Sequence, residues 1–564
     1  MLTRSQFPVP DENLTGTLDR RDWWRSAVIY QVYPRSFADS DGDGIGDLPG
    51  TTSRLGYLAS LGVNAVWISP FFPSPQADAG YDVADYCDVD PLFGSLADFD
   101  TLVTEAHSRG LRVIIDLVPN HTSDAHPWFR RALAAGPGSP ERGWYHFRDS
   151  DPSDPDRPPN DWPSEFGGPA WTRTPDGQWY LHLFDSRQPD LNWEYSGVRA
   201  AFLDVLRFWL DRGVDGFRVD VAHGLIKAPG LPDAGHSRAE LATLPTSAAP
   251  FWDQDGVHEI YREWRRLLDS YPGERVMVAE AWVNPADRIA RYVRADEHHQ
   301  AFNFTFLDTA WTATELRERI TASVAANEPV GAPTTWVLSN HDVIRPATRL
   351  ALAAKERATQ LGPPVTPPDP TVGQRRARAA ILLMLALPGS AYLYQGEELG
   401  LPEVLDLEPG VRQDPTFART GGARLGRDGC RVPLPWRREA PAFGFSPTGA
   451  AWLPQPGEFA ALAVDQQVGV PGSTLELTRS LIAMRAEHRL GEGSLTIVDP
   501  RTVLGDAAHG DLVVVEVRSG SSVTHVLLNL GPAVVLPEGA RVLIASEPVS
   551  GAQVSTDCAV WLEL

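Results

Sequence analysis

The sequence predicts an α/β chain built on a parallel (β/α)8 barrel, with a lid domain inserted after the third strand and an antiparallel β domain at the C-terminus. Three features predict it: eight apolar strand-like runs, amphipathic helical patterns between them, and a change to short alternating segments after residue 490. The strand-like runs are 28–33, 63–69, 111–116, 214–220, 275–280, 301–306, 334–339 and 390–394. Strands buried on both faces read as continuous apolar runs, which is the pattern of a parallel barrel under a ring of helices.

Helical patterns fall at 96–110, 197–213 and 374–387, several of them ending in the Gly that closes many helices. The third and fourth strands stand almost a hundred residues apart, and only 197–213 reads as their crossover helix. The remainder, rich in Pro, Gly, Trp and Asp, reads as a loop-dominated lid of about 70 residues over the face where such barrels carry their chemistry. After a helix at 475–489 come SLTIVD, DLVVVEVRSG, THVLLNLG, ARVLIAS and CAVWLEL, the strands of the C-terminal domain. The expected division is 1–120 for the first part of the barrel, 121–190 for the lid, 191–489 for the rest of the barrel and 490–564 for a C-terminal β-sandwich. The Pro- and Gly-rich stretch 400–470 has no regular pattern.

With 564 residues, 43% of them hydrophobic, the chain has ample material for a large core. Fifty basic against 73 acidic residues leave a net charge of −23, which repels nucleic acid and anionic lipid and favours a neutral or cationic substrate. Eighteen tryptophans are compatible with sugar faces, which present C–H groups to a flat ring. Cys87, Cys430 and Cys558 make neither a disulfide framework nor a metal spacing, as expected in a reducing cytoplasm. MLTRSQFPVPDENLTG lacks the apolar core of a signal peptide, and the longest apolar run, 379–387, is about half a membrane span.

Catalytic groups of such a barrel sit at the C-terminal ends of its strands. Asp220 ends the fourth run, Glu280 the fifth, and His341 and Asp342 follow the seventh. One acid at a strand end is commonly a helix cap; three at the ends of three strands converge on one ring. Two carboxylates facing one cleft are what glycoside hydrolysis requires. Arg218, two residues before Asp220, points to the same side of its strand and is expected to keep Asp220 ionised. Glu280 needs a raised proton affinity to act as an acid near neutrality.

The segments DLVPNH (116–121), GFRVDVAH (216–223), VAEAWV (278–283) and VLSNHD (337–342) resemble, in order and spacing, the four conserved regions of the α-amylase family of glycoside hydrolases. GVNAVWISP, QPDLN and GSAYLYQGEELG extend the resemblance over residues 20–564, and the last two are similar to the α-glucosidase and oligo-1,6-glucosidase branch. The resemblance implies Asp220 as nucleophile, Glu280 as general acid and base, and Asp342 as the third carboxylate, which grips sugar hydroxyls. It implies that His121 and His341 bind hydroxyls, that Arg218 is the family's arginine, and that Tyr81 stacks beneath a terminal glucose held by Asp82. Arg431 in RDGCRVPLPW is expected to pair with Asp82 and wall off the pocket.

Asp39, Asp41 and Asp43, with Gly44 next, copy the start of an EF-hand loop, but its twelfth position is Gly50 rather than Glu. The Ile45 carbonyl and Asp47 complete a shorter loop, and the resemblance implies a structural divalent cation there, Ca2+ or alternatively Mg2+. No Walker motif, strand-borne GxGxxG or Cys/His cluster appears, so no organic cofactor is expected.

The expected reaction is retaining, exo-acting hydrolysis of terminal α-glucose from maltose and short malto-oligosaccharides, with transglycosylation, by a cytoplasmic monomer or small homo-oligomer. The cues on linkage conflict: Val221 after the nucleophile accompanies α-1,6 hydrolysers, whereas VAHG resembles actinobacterial maltose-type enzymes, which tips the reading to α-1,4 links. Sucrose isomerases and trehalose synthases are the alternative enzymes. The family's catalytically dead transporter heavy chains are the remote alternative, and they carry a membrane span and lack these acids.

Overall fold

The computed structural model describes residues 22–241, 243–352, 364 and 366–564; the N-terminal stretch read for a leader lies outside them. Strands β1 (Val28–Val32), β2 (Ala65–Ile68) and β3 (Arg112–Leu117) precede three short strands, β4 (Phe147–Arg148), β5 (Trp171–Arg173) and β6 (Trp179–Leu181). Then come β7 (Gly216–Val219), β8 (Val276–Ala279), β9 (Gln300–Ala301), β10 (Thr335–Val337) and β11 (Ser390–Tyr394). The eight long-separated strands form one parallel sheet in the order β10-β11-β1-β2-β3-β7-β8-β9. A parallel bridge between Phe302 and Thr335 joins its two edges and closes the barrel.

Side-chain alternation divides each strand between two cores. Ile29, Ala65, Trp67, Ile114, Val276, Val278, Phe302, Val337 and Tyr392 pack together inside the barrel. Their neighbours, such as Tyr30, Val66, Ile115, Phe217 and Met277, face the surrounding helices. The sixth strand is shorter than expected. After Ala301 the chain turns into a helix at Phe304–Leu307, because the Asn303 side chain caps it by accepting from the Phe306 N–H.

The segment between β3 and β7 contains the sheet β4-β6-β5. Trp162, Trp171, Trp179, Leu181 and Leu183 form its core, together with Leu231, Ala249 and Phe251 from beyond β7. The lid is therefore made from two loops, and the second was not apparent from composition. Most tryptophans serve packing: thirteen of the eighteen are buried, and nine of those, including Trp67, Trp209 and Trp561, are among the largest fully buried side chains.

Strands β12 (Ser494–Ile497), β13 (Leu512–Ser519), β14 (Ser522–Asn529), β15 (Val534–Val535), β16 (Arg541–Ala545), β17 (Gln553–Val554) and β18 (Cys558–Glu563) build the C-terminal part. Five form an antiparallel sheet, β12-β13-β14-β18-β16, and β15 pairs with β17. One face, with Val514, Leu527 and Val560, packs on that pair; the other, with Val515, Leu528 and Trp561, joins the core shared with the barrel helices. Trp561 Nε1 donates to the Leu382 carbonyl in the helix Pro370–Ala386, at 3.1 Å. Among the described residues no helix is long and apolar enough to cross a membrane.

Candidate active site

The inward face of adjacent strands dictates the centre of the site. Register pairs Asp116 of β3 with Arg218 of β7, and Arg218 with Val278 of β8. Stepping two residues along keeps the same face, so Asp220 and Glu280 follow Arg218 and Val278 into the barrel mouth. Backbone bonds from Asp220 N to Leu117 O and from Glu280 N to Val219 O, both 2.9 Å, carry the ladder to that level.

Arg218 Nη1 donates to Asp116 at 2.8 Å and to Asp220 at 2.5 Å, and Nη2 stands 3.8 Å from Glu280. All four groups are buried. Burial, reinforced by Glu280, Asp116 and Asp342, pushes the Asp220 carboxyl up against the pull of Arg218. Arg218 draws Asp220 towards its ionised form, the direction expected from the sequence, but it also bonds Asp116 and lies near Glu280. Burial pushes Glu280 up as well. The Arg218 bond to Asp220, against a separation of 3.8 Å from Glu280, favours the proton on Glu280. Glu280 Oε1 accepts from Trp282 Nε1 and Oε2 from the Val221 N–H, each at 2.7 Å. Val221 holds φ at 46°, a left-handed conformation unusual for a β-branched residue, which aims its N–H at Glu280.

Asp342 accepts from Arg431 at 2.8 Å and Arg427 at 3.2 Å, and His341 Nε2 lies 3.2 Å away. Burial opposes ionisation, but His341, Arg427, Arg431 and Arg218 hold Asp342 well below the usual carboxylate range. His341 is pressed down by burial and stacks on Tyr81, ring centres 5.1 Å apart. Tyr81 donates its hydroxyl to Asp116 at 3.0 Å. His121 lies 3.1 Å from Gln188 Nε2, which also donates to Asp78.

These groups face a cavity of about 740 Å³ lined by Tyr81, His121, Asp220, Glu280 and Asp342. Arg218 and His341 stand behind that lining. The expected wall pair, Asp82 with Arg431, is not formed. Asp82 is fully buried and accepts from the N–H groups of Ala77 and Asp78, at 2.8 and 2.9 Å, shaping a turn. Arg431 is committed to Asp342 and the His341 carbonyl, at 2.8 Å each. The wall is instead Asp78 with Arg427, bonded at 2.6 Å, and both line the cavity. Arg427 also holds Asp342 and Asp414. Each true partner sits within four residues of the expected one, on the same turn, and only packing distinguishes them.

Sequence reasoning also missed Asp116, Gln188 and Trp282, all inside quoted motifs, and the buried pair Lys227–Asp190, 2.8 Å apart. The alternation of β3, Ile114 inward and therefore Asp116 inward, was the available signal for the first.

Away from the cavity, carboxylate oxygens of Asp39, Asp41 and Asp43 lie within 4.8 Å of one another. An all-oxygen set this close suits a hard divalent cation. Asp47 is used differently: it caps the helix Leu48–Ser53 through the Gly50 N–H and accepts from Ser40. The loop rests on the stretch that had no regular pattern, since Trp452 N donates to Gly44 O at 2.9 Å and Thr448 Oγ1 to Gly42 O at 2.7 Å. Gly44, at φ 93°, has Ala450 3.0 Å from where a Cβ would stand.

Comparison with known proteins agrees with this geometry. The family model for the alpha amylase catalytic domain matches residues 31–493. A probable alpha-glucosidase from Rhizobium meliloti (strain 1021) is 40% identical over 502 residues, spanning 85% of this chain and 86% of its own. An oligo-1,6-glucosidase from Parageobacillus thermoglucosidasius is 34% identical over 506 residues, spanning 83% and 84%. The crystal structure of an alpha-glucosyl transfer enzyme, XgtA, superposes with a TM-score of 0.83 at 36% identity, covering 96% of this chain and 99% of that one. The chain belongs to the α-amylase family of glycoside hydrolases, with its catalytic machinery carried by the (β/α)8 barrel.

Proposed function

We propose that the protein is a retaining, exo-acting α-glucosidase that releases the terminal non-reducing glucose of maltose and short malto-oligosaccharides. The observation that carries this reading is the Asp78–Arg427 pair, which lines the same cavity as Asp220 and Glu280. In our reading the pair blocks the non-reducing end, so that a terminal glucosyl residue enters and a continuing chain does not.

Asp220 attacks the anomeric carbon, while Glu280 delivers its proton to the leaving oxygen, so the glycosidic C–O bond breaks as the ester bond to Asp220 forms. Glu280, now a carboxylate, takes a proton from water, whose oxygen displaces Asp220 and restores the α configuration. Asp342, kept ionised by its arginines, accepts hydroxyl hydrogens that tighten as the ring flattens. Asp78 and His121 hold the remaining hydroxyls, Tyr81 offers its ring, and His341 supports Asp342 and Tyr81 from behind. Asp39, Asp41, Asp43 and the Ile45 carbonyl are proposed to hold a structural Ca2+, or Mg2+, while Asp47 caps the helix that follows the loop. Such an ion supplies charge balance to the loop and takes no part at the sugar. With Cys87, Cys430 and Cys558 all free, the cytoplasm is the proposed compartment.

Likeness to an alpha-glucosyl transfer enzyme favours a second outcome at the same intermediate, transfer to an acceptor hydroxyl in place of water. The test is a substrate panel of maltose, isomaltose, sucrose and maltotriose, with products followed by proton NMR. Maltose should be cleaved fastest, α-glucose should appear before mutarotation, and transfer products should grow with sugar concentration. Initial β-glucose would overturn the mechanism; preferred cleavage of isomaltose, or conversion of sucrose to an isomer, would overturn the substrate assignment.

A further inference from the structure

Trp282 is the only aromatic residue among the large hydrophobic side chains left exposed in the described residues, at 37% of its surface. It lines the main cavity and also a neighbouring one of about 270 Å³. Its ring lies flat on Phe304, centres 3.9 Å apart and planes within 5°. That stack, together with the 2.7 Å bond from its indole N–H to Glu280 Oε1, fixes the side chain.

We propose that Trp282 is a positioning residue for Glu280: its indole N–H fixes the carboxyl plane and balances the acid and base halves of the reaction. The inference rests on Glu280 being the general acid and base. The carboxyl is held at both oxygens, by a backbone N–H at Val221 and by the indole. A carboxyl free to rotate presents its proton to the leaving oxygen only part of the time; two fixed donors leave one orientation. An N–H donor also favours the ionised form, offsetting burial and like charge. The charged groups around Glu280 are Arg218, itself paired with Asp116, inside the barrel, Asp220 beyond β7 and Asp342 beyond β10. His223, whose ring reaches the Glu280 backbone, is held down to about 3 by burial and so stays neutral.

Trp282→Phe keeps a ring against Phe304 and removes the N–H. Losing that donor raises the proton affinity of Glu280, so the basic limb of the kcat/KM profile should move up by about one pH unit. Turnover of maltose, whose leaving sugar needs the proton, should fall roughly tenfold, while 4-nitrophenyl α-glucoside, whose leaving group does not, should stay within about twofold. A merely structural role would lower both substrates equally and leave the limb in place, and that result overturns the proposal. Phe304→Leu provides an independent arm should Trp282→Phe fold poorly: removing the stack should move the limb in the same direction by a smaller amount, and a parent-like profile counts against the proposal. Glu280→Gln separates this inference from the reading beneath it. Full turnover in Glu280→Gln removes the acid assignment itself; an inactive Glu280→Gln beside a parent-like Trp282→Phe removes only the role of Trp282.

Discussion

Two charged clusters meet in the pocket with opposite balances. At the strand ends, Asp116, Asp220 and Glu280 surround one guanidinium, Arg218. On the wall, Asp78, Asp342 and Asp414 share two, Arg427 and Arg431. The first cluster is short of cations, and burial pushes Asp220 and Glu280 up. In the second, burial is overcome by neighbouring cations, and Asp342 and Asp414 are held low. The same residue types thus yield a cluster in which Asp220 and Glu280 hold protons more tightly and a cluster in which Asp342 and Asp414 hold them less tightly. The ratio of carboxylates to guanidiniums separates the buried members, and Asp342, with 32% of its side chain exposed, is in addition less desolvated than Asp220 or Glu280.

The largest expected effect breaks the strand-end cluster. Asp220→Asn should lower glucose release by roughly 10⁴-fold with an unchanged melting temperature; a fully active variant removes Asp220 from the mechanism. Next is the wall. Arg427→Ala leaves Asp78 and Asp342 short of a cation, so KM for maltose should rise roughly tenfold or more, with maltotriose gaining on maltose. Asp82→Asn, at the position first expected to form the wall, should alter KM little and act mainly on stability; a larger KM effect from Asp82→Asn than from Arg427→Ala would reverse the assignment.

The third prediction couples the clusters. Asp342 raises the proton affinity of both Asp220 and Glu280. Removing its negative charge makes ionisation of the pair easier, so in Asp342→Asn both limbs of the residual pH–rate profile should move to lower pH. Movement to higher pH would contradict the like-charge coupling. The smallest effect belongs to the remote loop. Chelation, or Asp41→Ala, should lower the melting temperature by roughly 2–6 °C while leaving kcat on maltose unchanged. No change on chelation would mean that the three aspartates hold no ion.

Legibility divided along the same line as the chemistry. Strand-end residues follow a period of two, so Asp220 and Glu280 were readable once their strands were recognised, and Asp116 was readable by the same rule. The sixth strand failed because Asn303 caps a helix inside an apolar run that suits either structure. The wall failed because Asp78 and Asp82 flank one tight turn, and Arg427 and Arg431 flank one short helical turn, Asp428–Cys430. No periodicity separates such neighbours. The second half of the lid was hidden for a related reason: Leu231 and Phe251 lie in a loop whose composition does not say which core receives them.

By itself the sequence determined the barrel, the C-terminal sheet, the family and which carboxylates stand at the strand ends, because all follow from local alternation and short motifs. Tertiary structure alone decided the pocket wall, the sharing of Arg218 among three acids, the use of Asp47 as a helix cap and the contact of Trp282 with Glu280. Those depend on which side chain of a turn faces the cavity and on how many charges converge there. Both are properties of packing between segments far apart in the chain, where burial and neighbouring charge, rather than residue type, set what each group does.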